Sequence, residues 1–163
     1  MFTQDNSLRQ RALLIKGKGG LGNRILSAVC GLIYADLAGR TPIIDWRDGS
    51  YAPLGDNAYP LLFDTPIVQT CAATEAHSSL KAYRFFCINL ETLDVPEDIA
   101  VYWSYLPKFR RLSKHMYRDP RFSGRPLAGI IKEYLDRYFT PNDRVQGEVI
   151  RLSTQMGAGS IGV

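Results

Sequence analysis

The chain is poor in the residues that build metal centres and disulfide frameworks, with only three cysteines and two histidines. Cys30, Cys71 and Cys87 form no CxxC pair and are odd in number, so neither a zinc ribbon nor a paired disulfide scaffold is indicated. His77 and His115 stand without a second histidine, cysteine or carboxylate at ligand spacing, and no metal site is predicted. No GxSxG nucleophile turn and no D-x-D triplet occur, nor is there an internal repeat or low-complexity segment. No apolar run approaches the roughly 20 residues that cross a bilayer. The opening MFTQDNSLRQR is polar and lacks the apolar core of a signal peptide, so a cytoplasmic chain without a transmembrane segment is expected. Cys30 lies in an apolar helical pattern, where a buried free thiol is expected, consistent with a reducing compartment.

What is present is ordinary globular material. The 163 residues are 45% hydrophobic and 22% charged, enough for one domain with its own core. The net charge of +4 is unevenly placed. Residues 1–80 balance seven basic against seven acidic side chains, whereas residues 81–163 carry thirteen basic and nine acidic. Much of the excess falls in Lys108, Arg110, Arg111, Lys114, Arg118, Arg121 and Arg125, opposed only by Asp119. Such a cluster attracts phosphates or acidic surfaces, or else forms a solvated face. The aromatic interleaving of a nucleic-acid binder is missing, and no nucleic-acid partner is expected.

Periodicity gives an element order. Residues 1–11 are polar and read as loosely ordered. Ala12–Lys16 is an apolar run of strand length bounded by glycine. After the glycine-rich residues 17–23, apolar side chains recur at helical spacing from about Arg24 to Leu37, with Ser27, Ala28 and Gly31 small enough for close packing on a sheet. Gly39 is placed to end that helix. Residues 41–46 read as a second strand with Pro42 at its start. Strand, glycine loop, helix and strand within about 35 residues make a βαβ unit with parallel strands. Residues 47–60 read as a long loop, and 82–88 and 99–105 as further strands. Residues 127–139 form an amphipathic helix, and Thr140-Pro141 supplies a cap and first-turn proline for another, running to about Thr154. The expected fold is α/β, a Rossmann-like parallel sheet with flanking helices over residues 12–156. Residues 157–163 read as a glycine joint and the start of a strand that the chain does not complete, as in a fragment.

Gly17-Lys18-Gly19-Gly20-Leu21-Gly22 satisfies G-x-G-x-x-G between a strand and a helix, with Asp45 closing the next strand. Glycines let backbone amides approach an anion, and a helix N-terminus adds favourable potential. The pattern alone leaves open a nicotinamide dinucleotide, another phosphate ligand or a tight turn with no ligand. Lys16 and Lys18 add charge that a dinucleotide loop does not need, and Asn23 and Arg24 bring a donor–acceptor pair and a forked donor to the rim. These favour a ligand with phosphates and hydroxyls.

Residues 19–24 (GGLGNR), a helix opening Ile25-Leu26-Ser27, then Gly39-Arg40-Thr41 and a strand ending Asp45-Trp46-Arg47 resemble the N-terminal region of the α-1,6-fucosyltransferase superfamily, most of all its bacterial nodulation branch. A G-x-G-N-[RQ] turn before a helix also occurs in α-1,2-fucosyltransferases and protein O-fucosyltransferases. The resemblance is specific over residues 15–47 and holds beyond only in outline, in Tyr138-Phe139-Thr140-Pro141 and Ile161-Gly162-Val163. It implies the N-terminal half of a GT-B-like glycosyltransferase, one of two Rossmann-like domains around a cleft. The enzyme would transfer fucose from GDP-fucose to a glycan acceptor with inversion and without a metal or other cofactor. It also implies donor contacts at Gly19, Gly20, Leu21, Gly22, Asn23 and Arg24. In such enzymes an I-G-V-like strand runs into a His-x-Arg motif that binds the donor diphosphate, so the chain as it stands is expected to be inactive alone. No catalytic residue is assigned.

Three further side chains are candidates for sugar or acceptor contact. Asp45 suits a hydroxyl ligand, a base or a loop cap; Trp46 suits a sugar platform or a core; Arg47 neutralises Asp45 or points into the cleft. Two rival readings stay open: an NAD(P)-binding Rossmann oxidoreductase domain, and a non-enzymatic polyanion-binding module built on residues 108–125.

Overall fold

A computed structural model of the chain describes residues 11–64, 66–67 and 87–156. In chain order the elements are β1 (Ala12–Lys16), α1 (Leu21–Ala38), β2 (Thr41–Asp45), α2 (Ala58–Leu62), β3 (Ile99–Trp103), α3 (Phe109–Met116), α4 (Leu127–Tyr138) and α5 (Asp143–Met156). The three strands make one parallel sheet in the order β2-β1-β3, with helices packed against it. The α/β expectation therefore holds for the described residues.

β1 is central and buried along its whole length, which is why ALLIK lacks the alternation of a half-exposed strand. Leu13 and Ile15 belong to the main core, while Ala12 and Leu14 join Ile43 and Val101 in a second cluster. Burying each of these larger aliphatic side chains contributes about 1.5–3 kcal/mol. α1 lies on the first face, and Gly31 is required there. A Cβ at that position would fall 2.9 Å from the Ile15 side chain and 3.1 Å from the Tyr102 ring. α1 is apolar enough to match a membrane span by composition, and its packing against the sheet accounts for that. Gly39 ends α1 in the left-handed conformation, with φ 61°, as its position implies. At the amino edge Arg40 is buried and donates to the carbonyls of Ala12 (3.1 Å), Glu97 (2.9 Å) and Val95 (2.6 Å), satisfying backbone acceptors where the strands begin.

Several boundaries move. α1 begins at Leu21 rather than Arg24, so Leu21, Gly22 and Asn23 are its first turn. β2 ends at Asp45 and β3 at Trp103, which leaves Trp46 and Tyr105 in the loops that follow. The long loop after β2 gives way to α2 at Ala58, capped by the Asn57 side chain. α5 begins after Asn142, whose Oδ1 accepts from the Val145 amide at 3.1 Å. Thr140 instead donates its hydroxyl to the Asp136 carbonyl, and Pro141 bridges to Phe63. The basic stretch, left without an element in the sequence reading, contains α3. Of residues 82–88, only Cys87 and Ile88 are described; Cys87 forms a parallel bridge with Val101. The readings made for residues 1–10 and 157–163, and for Cys71 and His77, lie outside the described residues. Cys30 is a buried free thiol, and burial pushes its pKa up to about 12, so it is chemically quiet near neutrality.

Candidate functional site

β1 has β2 on one side and β3 on the other, so the chain reverses its direction of travel across the sheet at β1. In open α/β sheets a crevice forms outside the carboxyl ends of the strands at such a point. Here that edge is made of residues 17–20 after β1, residues 46–57 after β2 and residues 104–108 after β3.

The glycines of the first turn divide into two pairs. Gly17 and Gly19 are packed by the chain itself. A Cβ on Gly17 would stand 2.8 Å from Arg24 Nη1 and from the Trp46 ring, and one on Gly19 would stand 2.4 Å from the ring of Tyr105. Gly19 also has φ +78°, a conformation that side chains resist. Gly20 and Gly22 have no heavy atom within 4 Å of such a Cβ among the described residues. Gly20 is the N-cap of α1, extended at φ −65° and ψ 160°, and no side chain caps the helix. The first amides of α1 therefore face outward at the carboxyl end of the central strand, carrying the positive end of the helix dipole.

Arg24 does not reach outward. It is 2% exposed, and its Nε donates to the Gly19 carbonyl at 2.9 Å. Its two terminal nitrogens fork onto Asp48 at 3.2 and 2.5 Å, one of them also donating to Ser50 Oγ at 2.9 Å. The guanidinium lies 5.1 Å from the centre of the Tyr51 ring. Its expected role as a free phosphate fork is thus corrected: Arg24 clamps the loop after β2 to the turn after β1. Asp48, read from sequence only as part of a turn, is the other half of that clamp. Burial raises the Asp48 carboxyl, but the Arg24 donors and the Ser50 amide outweigh it and leave the pKa below the ordinary value.

Asp45 is likewise occupied. It pairs with Lys16 at 3.0 Å, its direct neighbour in the β1–β2 register, and Arg47 grips it through Nε at 2.9 Å and Nη2 at 2.8 Å. The Arg47 amide adds a fourth donor at 3.2 Å, filling the acceptor sites of a carboxylate. The roles of base and hydroxyl ligand are therefore closed to Asp45, and of the two roles weighed for Arg47 it takes the neutralising one. Burial pushes the Asp45 carboxyl up, and the Arg47 and Lys16 hydrogen bonds and charges more than reverse this, so its pKa lies below the usual range. Lys16 is shifted down by burial, against the opposing pull of Asp45.

Trp46 is a core residue, 1% exposed, so it offers no face to a sugar. It stacks on Phe139 at 6.4 Å between centroids and meets Tyr59 edge-on at 5.6 Å, with Phe63 closing the cluster. Asn57 locks the turn that brings it there, accepting from the Trp46 amide at 2.9 Å and donating to the Ile44 carbonyl at 2.8 Å. An Asp-Asn pair in a polar loop signalled a turn without indicating which carbonyl it would hold.

Two residues at this edge, Trp103 and Tyr105, are not among the site residues expected from sequence. Lys18 places its Nζ 4.3 Å from the centre of the Trp103 ring, and Tyr105, 50% exposed, rests on Gly19. β3 carries Trp103 and Tyr105 to the β1 turn, a juxtaposition set by strand order and hidden from local sequence.

The depressed carboxylates set an acid limb. A carboxyl with a lower pKa in the folded state binds fewer protons there than in the unfolded chain, so stability rises with pH through the window between the two values. The contribution of Asp45 and Asp48 is fully present above the unfolded value of about 3.9 and is lost as pH falls through their lower folded values. Melting temperatures between pH 2 and 6 should therefore fall steeply below about pH 4. An Asp45→Asn variant should be less stable at pH 6 and show a shallower fall; a parallel curve would remove Asp45 as a source of the limb.

No protein-family model matches this sequence, and no curated protein matches it.

Proposed function

We propose that this chain forms one α/β wall of a glycosyltransferase of the fucosyltransferase type. The outward amides of Gly20, Leu21, Gly22 and Asn23 face the diphosphate of GDP-fucose. The observation that carries this reading is the uncapped N-terminus of α1, opened by two glycines and set at the carboxyl end of the central strand beside β3. In the proposed reaction a base removes the proton of an acceptor hydroxyl, and that oxygen forms a bond to the anomeric carbon of fucose. The bond from that carbon to the phosphate oxygen breaks, and GDP leaves with inverted stereochemistry at the sugar. Preorganised amides at a helix N-terminus stabilise the negative charge that builds on the departing diphosphate. Arg24 and Asp48 contribute by holding the turn, and Lys18, in the turn after β1, adds a cation at this edge.

The dinucleotide alternative needs a free acidic side chain at the end of β2 to receive ribose hydroxyls. Asp45 stands there with its oxygens committed to Lys16 and Arg47, which favours the sugar nucleotide.

Gly22→Ala separates a ligand turn from a merely structural one. In the first turn of a helix, with open space around it, alanine should raise stability by about 0.5–1 kcal/mol. If the amides face a diphosphate, the added methyl should weaken GDP and GDP-fucose binding at least about tenfold, or 1.4 kcal/mol. Calorimetry with GDP, GDP-fucose and NADH on the wild-type and variant proteins reads both effects. Binding of NADH in preference to GDP, or GDP binding that ignores the substitution, would defeat the reading.

A further inference from the structure

In the carboxyl-terminal half of the described chain, five of eleven lysines and arginines are paired with carboxylates. Arg111 pairs with Glu91 at 3.0 Å, Arg121 with Asp119 at 2.7 Å, Arg125 with Glu133 at 2.5 Å, Lys132 with Asp136 at 2.5 Å and Arg151 with Glu148 at 2.8 Å. Lys108, Arg110, Lys114 and Arg118, all on or beside α3, have no carboxylate at ion-pair distance among the described residues. Lys108, Arg110, Arg111 and Lys114 line an open surface cavity of about 450 Å³ whose single carboxylate, Glu91, is already held by Arg111. The first turn of α3 contains no acidic residue, and no side chain caps it. The positive end of the helix dipole therefore adds to the cations instead of offsetting them. Like charges gathered in a concavity repel one another, and a bound anion relieves that repulsion.

We propose that this cavity is a second anion site, distinct from the α1 turn, that binds a compact phosphorylated group. Two arginines supply planar forks matched to phosphate oxygens, and two lysines supply point charges. The volume falls in the range of small-ligand clefts. An eight-residue helix spans only about 12 Å, too short to track a nucleic-acid backbone, and no stack of exposed aromatics lines the cavity. The cavity meets the carboxyl edge at Lys108 and extends from there along α3, away from the α1 turn. The Lys108 amide donates to Cys30 Sγ at 3.2 Å, which anchors the start of α3 to the middle of α1, roughly 13 Å along that helix from Leu21.

Calorimetric titration of the whole chain with pyrophosphate, alongside co-sedimentation with phosphatidylglycerol vesicles, distinguishes a soluble phosphate from a lipid headgroup. We expect saturable pyrophosphate binding that weakens as salt is raised. An Arg110→Glu/Lys114→Glu protein should lose at least tenfold in affinity, Arg110→Gln/Lys114→Gln an intermediate amount, and Arg125→Gln nothing. Arg110 and Lys114 are exposed, so the melting temperature of these variants should stay near that of the wild type. All titrations are run with GDP saturating, so that a diphosphate site at the α1 turn is already filled. Vesicle binding with the same variant pattern would assign the phosphate to a lipid. Binding to neither probe, or equal binding by the charge-reversed protein, would overturn the proposal. None of these results depends on whether GDP-fucose binds the α1 turn.

Discussion

Arg24→Ala should lower the stability of the protein by about 3 kcal/mol, although no partner of Arg24 lies outside the chain's own loops. Removing one member of a buried ion pair leaves the other charge without compensation, at a cost of about 3–5 kcal/mol. Asp48 is 29% exposed on its side chain, so water takes up part of the loss and the lower end applies. The substitution also strips hydrogen bonds from the Gly19 carbonyl and Ser50. For a domain of this size each kcal/mol moves the melting temperature by about 2–4 °C, so a thermal melt should fall by roughly 6–12 °C. Arg24→Lys should recover little, because an ammonium cannot fork onto both Asp48 oxygens while donating to Gly19. An unchanged melting temperature combined with weakened GDP binding would return Arg24 to the ligand and refute the clamp.

Trp46→Ala carries the second large effect. The indole fills the centre of a cluster with Tyr59, Phe63 and Phe139, and it forms the floor beneath Gly17. Truncating a buried aromatic to alanine costs about 3–5 kcal/mol, because the cavity left behind collapses only in part. The neighbours come from two segments far apart in sequence: Tyr59 in α2 with Phe63 just after it, and Phe139 just after α4. Tyr59 is further tied by its hydroxyl to the Tyr138 carbonyl at 2.5 Å, so the cluster cannot easily close over a void. Chemical denaturation should show a lower midpoint, with Trp46→Phe retaining most of the wild-type value. A tryptophan serving a sugar would behave in the opposite way, losing acceptor affinity with stability intact.

These two residues show what a local pattern conveys. Glycines at 17, 19, 20 and 22 read as one phosphate-type loop, yet two are small because Arg24, Trp46 and Tyr105 press on them, and two are small with nothing near them. Spacing cannot separate a glycine that admits a ligand from one that admits the protein's own side chain. Asp45 offered the same ambiguity. Its place at a strand end was legible, but its saturation by Lys16 and Arg47 depends on the β1–β2 register. Ambiguity of another kind affected α3. Its first turn holds two arginines, no acidic residue and no cap, so it carries none of the usual helix start signals.

The sequence by itself determined the local elements: a central strand apolar up to Lys16, a helix made thin by Gly31 and ended by Gly39, and a parallel second strand. Each follows from periodicity and from glycine geometry within a few residues. Only the tertiary structure decided which side chains face the crevice. Arg24, Asp45 and Trp46 are turned inward by partners that include Asp48, Lys16 and Phe139, 24, 29 and 93 residues away in sequence, through ion pairs and ring contacts that form only once strand order and register are set. The same packing leaves the α1 amides and the cations Lys108, Arg110 and Lys114 without a counter-charge, because among the described residues no carboxylate pairs with them.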